Sequence, residues 1–291
     1  MFRFVIAIYR FFANVGPPNA KFFVSSYNPL FRTVIVRTSI ISLLNMLHHT
    51  GSNRNHLHNV RLAALLCLTA GFVNGAGFLS FYVLTTNVTG HVALFAEKLA
   101  AGDFTNARTV GMWMILFLAG AFVSSFIIRR VGKEQRFAYT LSISIEIGLL
   151  LFVAIYGAHT YPSIINTRLL AGALLFAMGL QNAMVSMISG SVVRTTHLTG
   201  MFTDLGIELS AVMQTNTLAD TVLLRQRIFL RLVIIFFFFF GCVSAAYLYP
   251  YLGFSAFFIP AAILAIVMFY DIFRMKIHKT FLRLKRKVKT A

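Results

Sequence analysis

Apolar residues in this chain gather into long unbroken stretches, and polar residues collect between them. Six stretches approach or exceed the ~18–20 residues that a helix needs to cross a bilayer: about 62–84, 109–128, 138–156, 168–188, 228–248 and 253–270. They are named a, c, d, a′, c′ and d′. Two shorter apolar pieces lie between them, b at 88–99 and b′ at 198–213. A stretch that is apolar on every side is a helix solvated by lipid rather than one facing a water-backed core. The pattern therefore predicts an all-α fold: a polytopic membrane helix bundle with about six full spans and two short re-entrant helices.

Loop charge decides how b and b′ are placed. Arg129, Arg130, Lys133 and Arg136 separate c from d, Arg225, Arg227 and Arg231 precede c′, and a dense basic run from Arg274 to Lys289 follows d′. Cytoplasmic loops concentrate Lys and Arg. If b and b′ crossed fully, these loops would fall on opposite sides; if both are re-entrant, all three lie inside together with Arg61. Lys98, Arg108 and Arg168 are then a scattered minority outside. The expectation is six spans with both termini cytoplasmic. Three spans per half invert the second half relative to the first.

The halves also match in sequence. Thr85-Thr86-Asn87-Val88-Thr89-Gly90 reads Thr195-Thr196-His197-Leu198-Thr199-Gly200 in the second half. Upstream, Gly71-Phe72-Val73-Asn74-Gly75 matches Gly179-Leu180-Gln181-Asn182-Ala183 with a two-residue difference in spacing. Duplication is the simplest account. Repeat 1 is about 61–156 and repeat 2 about 168–272 of a membrane domain over 61–272, flanked by an N-terminal extension (1–60) and a basic tail (273–291).

Thr and Asn supply neutral donors and acceptors that satisfy freed backbone groups at membrane depth, and Gly permits a turn or a close approach. Threonine is also expected to cap the helix that follows. Two such breaks entering from opposite faces would present two positive helix ends to the interior, as secondary transporters do for polar or anionic groups. The expected substrate-binding set is Asn74, Thr85, Thr86, Asn87, Thr89, Gly90, Asn182, Thr195, Thr196, His197, Thr199 and Gly200. The alternative is that these residues only pack helices, as small and polar residues in membranes commonly do.

Composition agrees with lipid as the solvent. Of 291 residues 58% are hydrophobic and 12% charged, against the roughly 25% charged of soluble domains. Eight acids face 26 Lys and Arg. That excess flanks the apolar stretches and lacks the aromatic interleaving that single-stranded nucleic acid requires, so no nucleic-acid partner is expected. The partners expected are the bilayer, with anionic headgroups at the basic tail, and a small polar solute. Oligomeric state is not encoded in any pattern.

Residues 1–45 carry no acid, several Phe, and Arg3, Arg10, Lys21, Arg32 and Arg37 spaced so that no span forms. Three readings stand: an interfacial basic arm, a targeting presequence, or an untranslated extension with Met46 as the start. The last is favoured, because Met46 precedes a polar stretch and then the first span.

Glu146 lies mid-way along d, where a charged acid costs about 2.5–3.5 kcal/mol on insertion scales. It is the first choice for a proton or cation relay, joined by Asp204 and Glu208, an i, i+4 pair on b′. The alternatives are a neutral Glu146 bonded to Ser142, Ser144 or a neighbouring span's Thr or Asn, and a wet helix face for Asp204, Glu208 and Glu97. His48, His49, His56 and His58 sit in a polar linker with no Cys or acid nearby. No metal site and no cofactor is expected from them. His91 and His197 are candidate polar pore groups. Cys67 and Cys242 read as small buried hydrophobes.

At Gly71 to Gly75, Thr89-Gly90, Ala101-Gly102-Asp103, Gly179 to Ala183, Thr199-Gly200 and Leu205-Gly206 the chain resembles the YoaK-like family of bacterial membrane proteins. The resemblance covers about 61–272 and implies a multi-span protein of the bacterial inner membrane, with no substrate or activity attached. The family often has an acid at Asn74, Asn at His91 and a basic residue near Ser186.

The leading functional expectation is a secondary transporter or channel for a small polar or anionic solute. A non-catalytic scaffold or lipid-organising protein is the alternative. An enzyme is not expected, since no His-Glu-x-x-His, Gly-x-Ser-x-Gly or Cys near a His occurs.

Overall fold

The computed structural model describes residues 56–132, 137–160, 163–191, 193–214 and 218–269, and these are helical with short connections. The N-terminal arm (1–55) and the basic tail (270–291) lie outside the described residues. In order the helices are α1 (His56–Phe81), α2 (Val88–Ala100), α3 (Phe104–Val131), α4 (Phe137–His159), α5 (Ile164–Ser189), α6 (Leu198–Gln214) and α7 (Leu218–Leu252). A 3-10 turn, Gly253–Phe257, leads into α8 over 258–269. No strand occurs among the described residues.

Five apolar helical runs among the described residues are long enough to cross a membrane, where the sequence pattern gave six. The difference lies in c′ and d′, which form one run from Asp220 to Phe269. A straight helix of that length would be about 75 Å long against an apolar core of about 30 Å. The run instead folds back at its 3-10 turn, where Gly253 takes a φ of 53°, a conformation that suits a residue without Cβ.

Helix directions follow from which residues meet. Gly71 lies against Phe238, and Gly75 against Cys242 and Ala245, so α1 and α7 run parallel. On the other side, Trp113 Nε1 donates to the Arg168 carbonyl (3.2 Å) and Gly120 lies against Phe176, so α3 and α5 run parallel as well. Gln181 Nε2 donates to Leu66 O (3.1 Å) while Gly77 faces Leu174, which makes α1 and α5 antiparallel. Phe254 packs on Gly157 and on Phe81, and Ser144 Oγ lies 3.3 Å from Met268 Sδ. Hence α4 points the same way as α1, and α8 returns beside it. One set, α1, α4 and α7, runs opposite to the other, α3, α5 and α8.

The two parallel pairs share one device. A Cβ on Gly71 would collide with the Phe238 carbonyl oxygen, and one on Gly241 with that of Leu68. In the other pair a Cβ on Gly179 would collide with the Phe117 carbonyl oxygen, and one on Gly120 with that of Phe176. Each glycine meets the carbonyl of the residue three before its partner glycine. Without a hydrophobic force between helices in lipid, such backbone contact is what dispersion and weak Cα–H···O bonds need. Gly71 and Gly179 are the positions that the repeat alignment equates.

Candidate functional site

Both breaks begin with residues in the left-handed region, Tyr82 (φ 57°) after α1 and Gly190 and Ser191 (φ 64° and 67°) after α5. The chain then doubles back. Thr86 returns to the level of Asn74, whose Oδ1 accepts from the Thr86 backbone N–H (3.2 Å) and its hydroxyl (2.9 Å). From there α2 climbs along α3, with His91 edge-on to Trp113 at 6.0 Å and Phe95 against Gly111. In the second half α6 runs back along α7, held by Arg231. Arg231 donates from Nε and Nη2 to the two oxygens of Glu208 (2.7 and 2.9 Å), and its Nη1 lies 3.0 Å from Asp204 Oδ2.

The side chain that caps α2 is Asn87, accepting from Gly90 N–H at 2.9 Å, and not a threonine. Asn87 caps from a non-helical backbone (φ −106°), as an N-cap residue does, and Asn ranks above Thr there. Gly90 leaves room for that cap: a Cβ there would sit 2.8 Å from Asn87 Nδ2. Gly200 does the same for His197, whose ring would collide with a Cβ. So the final Gly of each motif accommodates the side chain three residues before it.

Between the two breaks lies a cavity of about 570 Å³. Its lining pairs residues of the halves: Asn74 with Asn182, Thr86 with Thr196, Asn87 with His197, Val88 with Leu198, Thr89 with Thr199, Phe117 with Phe238 and Leu84 with Arg194; Ser186 completes it. The fold thus brings together eight of the twelve residues expected to bind solute. Thr85 and Thr195 stand behind the wall, each fully buried with its hydroxyl unpartnered among the described residues. Gly90 lines a second cavity of about 360 Å³, which also takes in His91, Lys98, Asn106 and Trp113. Leu84 and Asn87 belong to both cavities and form the partition between them.

The expected relay residues lie elsewhere. Glu146 is wholly buried in α4, lines neither cavity, and has both carboxyl oxygens unpartnered among the described residues. Ser142 bonds to Ser124 (3.2 Å) and Ser144 to the Thr140 carbonyl (2.9 Å), so neither serves Glu146. Asp204 and Glu208 are both engaged by Arg231. Glu97 pairs with Lys98 at 3.0 Å on the exposed side of α2. At the α2–α3 turn Asp103 caps α3, accepting from Asn106 Nδ2 (2.7 Å) and N–H (3.2 Å), and these bonds hold its carboxyl below the usual range.

Sequence reasoning missed Arg194, Phe117, Phe238 and Ser186. Arg194 was visible as the residue just before the second motif, where the first half has Leu84. The two phenylalanines carry no local signal, since they belong to helices c and c′ far along the chain.

A family model described as "Protein of unknown function (DUF1275)" matches residues 62–270. The chain is 26% identical over 170 residues to the UPF0700 transmembrane protein YoaK of Bacillus subtilis (strain 168), a match that covers 56% of this chain and 74% of that protein. No solved structure matches. With the family model covering most of the chain and the apolar helices described above, this is an integral membrane protein that belongs to the DUF1275 family, in which the YoaK-like resemblance also places it.

Proposed function

We propose that this chain is a six-span inner-membrane protein of two inverted repeats, both termini cytoplasmic, acting as a secondary transporter or channel for a small polar or anionic solute. The observation that carries the reading is the cavity between the breaks, walled pairwise by equivalent residues of the two halves. Midplane sites at the interface of inverted repeats, formed by interrupted helices, are how many transporters bind solute.

Several features support the architecture. The directions of α1, α3 and α4 are the reverse of those of α5, α7 and α8, as inversion requires. Helices α2 and α6 are about 20 and 25 Å long at 1.5 Å per residue, short of the apolar core, and each doubles back along the helix after it. They are the re-entrant pieces. The reciprocal glycine contacts recur in both parallel pairs, which a duplication explains and separate origins would not.

Glu146 is the candidate for ion coupling, since intramembrane acids are seldom incidental. Reconstituted protein should move a small solute across liposomes, and the Thr89→Val/Thr199→Val double variant should lose that flux while keeping its gel-filtration profile. Unchanged flux in the double variant would sink the site assignment. Proton coupling that is the same in Glu146→Gln would remove Glu146 from the mechanism, and absence of any flux with one stoichiometric protein partner would favour a scaffold.

A further inference from the structure

The two halves match so closely around the cavity that their one departure in charge stands out. Where the first half supplies Leu84, the second supplies Arg194. Arg194 forms no ion pair with any described residue. Neither cavity has an Asp or Glu in its lining, while the second contains Lys98. Lys98 is paired with Glu97 and also interacts with the charge of Asp103, but neither acid is in the lining and the Lys98–Glu97 pair is partly exposed, so Lys98 is only partly screened. The two cavities meet at Leu84 and Asn87. A route through them passes one cation, with Glu97 and Asp103 behind it, then a partition, then a second cation, and no carboxylate lines either cavity.

We infer that the transported solute is a small oxyanion, bound in the central cavity by Arg194 and drawn in past Lys98; this rests on the transport reading above. The guanidinium fork fits two oxygens of a carboxylate, nitrate or phosphate at once. The hydroxyls of Thr89, Thr196 and Thr199 are further donors. First-turn amides of α2 and α6 carry the same positive sign. The symmetric scaffold builds the space, and Arg194 sets the charge that fills it.

Trp113, the one tryptophan of the chain, lines the outer cavity and reports on access to it. In nanodiscs holding the full chain, iodide should quench Trp113 fluorescence several-fold better than caesium when each is scaled to its quenching of free N-acetyltryptophanamide. Lys98→Gln should lower the iodide response and leave quenching by neutral acrylamide unchanged. Equal scaled quenching by iodide and caesium would overturn the anion-selective entry. Proteoliposomes loaded with nitrate, acetate or phosphate should release at least one of them, and Arg194→Leu should cut that release about ten- to hundredfold, the value of a charge-assisted bond to arginine. Arg194 is exposed, so this substitution leaves the packing intact, and Arg194→Lys should restore part of the rate. Flux of glycerol or potassium that ignores Arg194, with no anion flux, would overturn the oxyanion and leave transport standing. Thermal protection by one of the three anions that Arg194→Leu abolishes, with no flux of any solute, would uphold the anion site and overturn transport.

Discussion

Replacing Gly71 by alanine tests the backbone contact on which the α1–α7 pair is built. The added Cβ would collide with the Phe238 carbonyl oxygen and lie 2.8 and 2.9 Å from its carbonyl carbon and Cα. Carbon atoms rest at about 3.5–4.0 Å, so the helices would have to part by roughly 1 Å. No flexible side-chain end can yield, because every atom met is backbone. Overpacking of this kind costs about 1–3 kcal/mol. Against it stands the gain of about 0.5–1 kcal/mol that alanine brings to a helix interior. The net expectation is a loss of up to about 2.5 kcal/mol, shared by Gly179→Ala, which meets the Phe117 backbone in the same way.

The control is Gly148→Ala in α4, where a Cβ meets nothing within 4 Å and only the helix gain remains. Thermal unfolding of the detergent-solubilised protein, followed by fluorescence-detected gel filtration, separates the cases. Gly71→Ala and Gly179→Ala should melt below the native protein, and Gly148→Ala at or above it. If all three behave alike, the helices do not touch at these glycines and the symmetric pairing is wrong.

Four further outcomes follow. Asn74→Ala strips Thr86 of its acceptor, whereas Asn182 Oδ1 has no partner among the described residues, so by melting temperature Asn74→Ala should be the more damaging, by about 1–3 kcal/mol. Arg231→Met leaves Glu208, nearly buried, without its cation and should destabilise strongly; adding Glu208→Met should recover much of the loss in the same melting assay. Glu146→Gln should melt like the native protein, because the described residues offer the carboxylate no cation that the change would forfeit. Asp103 has a depressed carboxyl, so its capping is present above the ordinary carboxylate value of about 4 and is lost as pH falls through the lower folded value. Amide exchange at Asn106, corrected for intrinsic rates, should therefore lose protection in acid, and Asp103→Asn, itself a good cap, should remove that dependence.

How far the sequence revealed this molecule varies with the range of the interaction. The spans were legible because a run such as 168–188 must be apolar on all sides to lie in lipid, and that condition is local. The breaks were legible because Thr-Thr-x-x-Thr-Gly occurs twice, and a repeated oddity is easier to see than a single one. The last two stretches, 228–248 and 253–270, form one continuous helical run, because α7 stays helical through Pro250 and only the 3-10 turn at Gly253 reverses the chain. Phe117 and Phe238 could not have been found. They reach the cavity only because Gly120 and Gly241, three residues on, bring α3 and α7 against α5 and α1, a condition set by the partner helix and not by neighbours in the chain. Arg194 was overlooked for the opposite reason: attention to what the halves share hides where they differ. The residues that the two motifs share line the cavity in pairs, and an odd residue among them, Arg194 opposite Leu84, breaks that pairing. A solute with one charged end needs such a break, because a symmetric site would hold it equally well in two orientations.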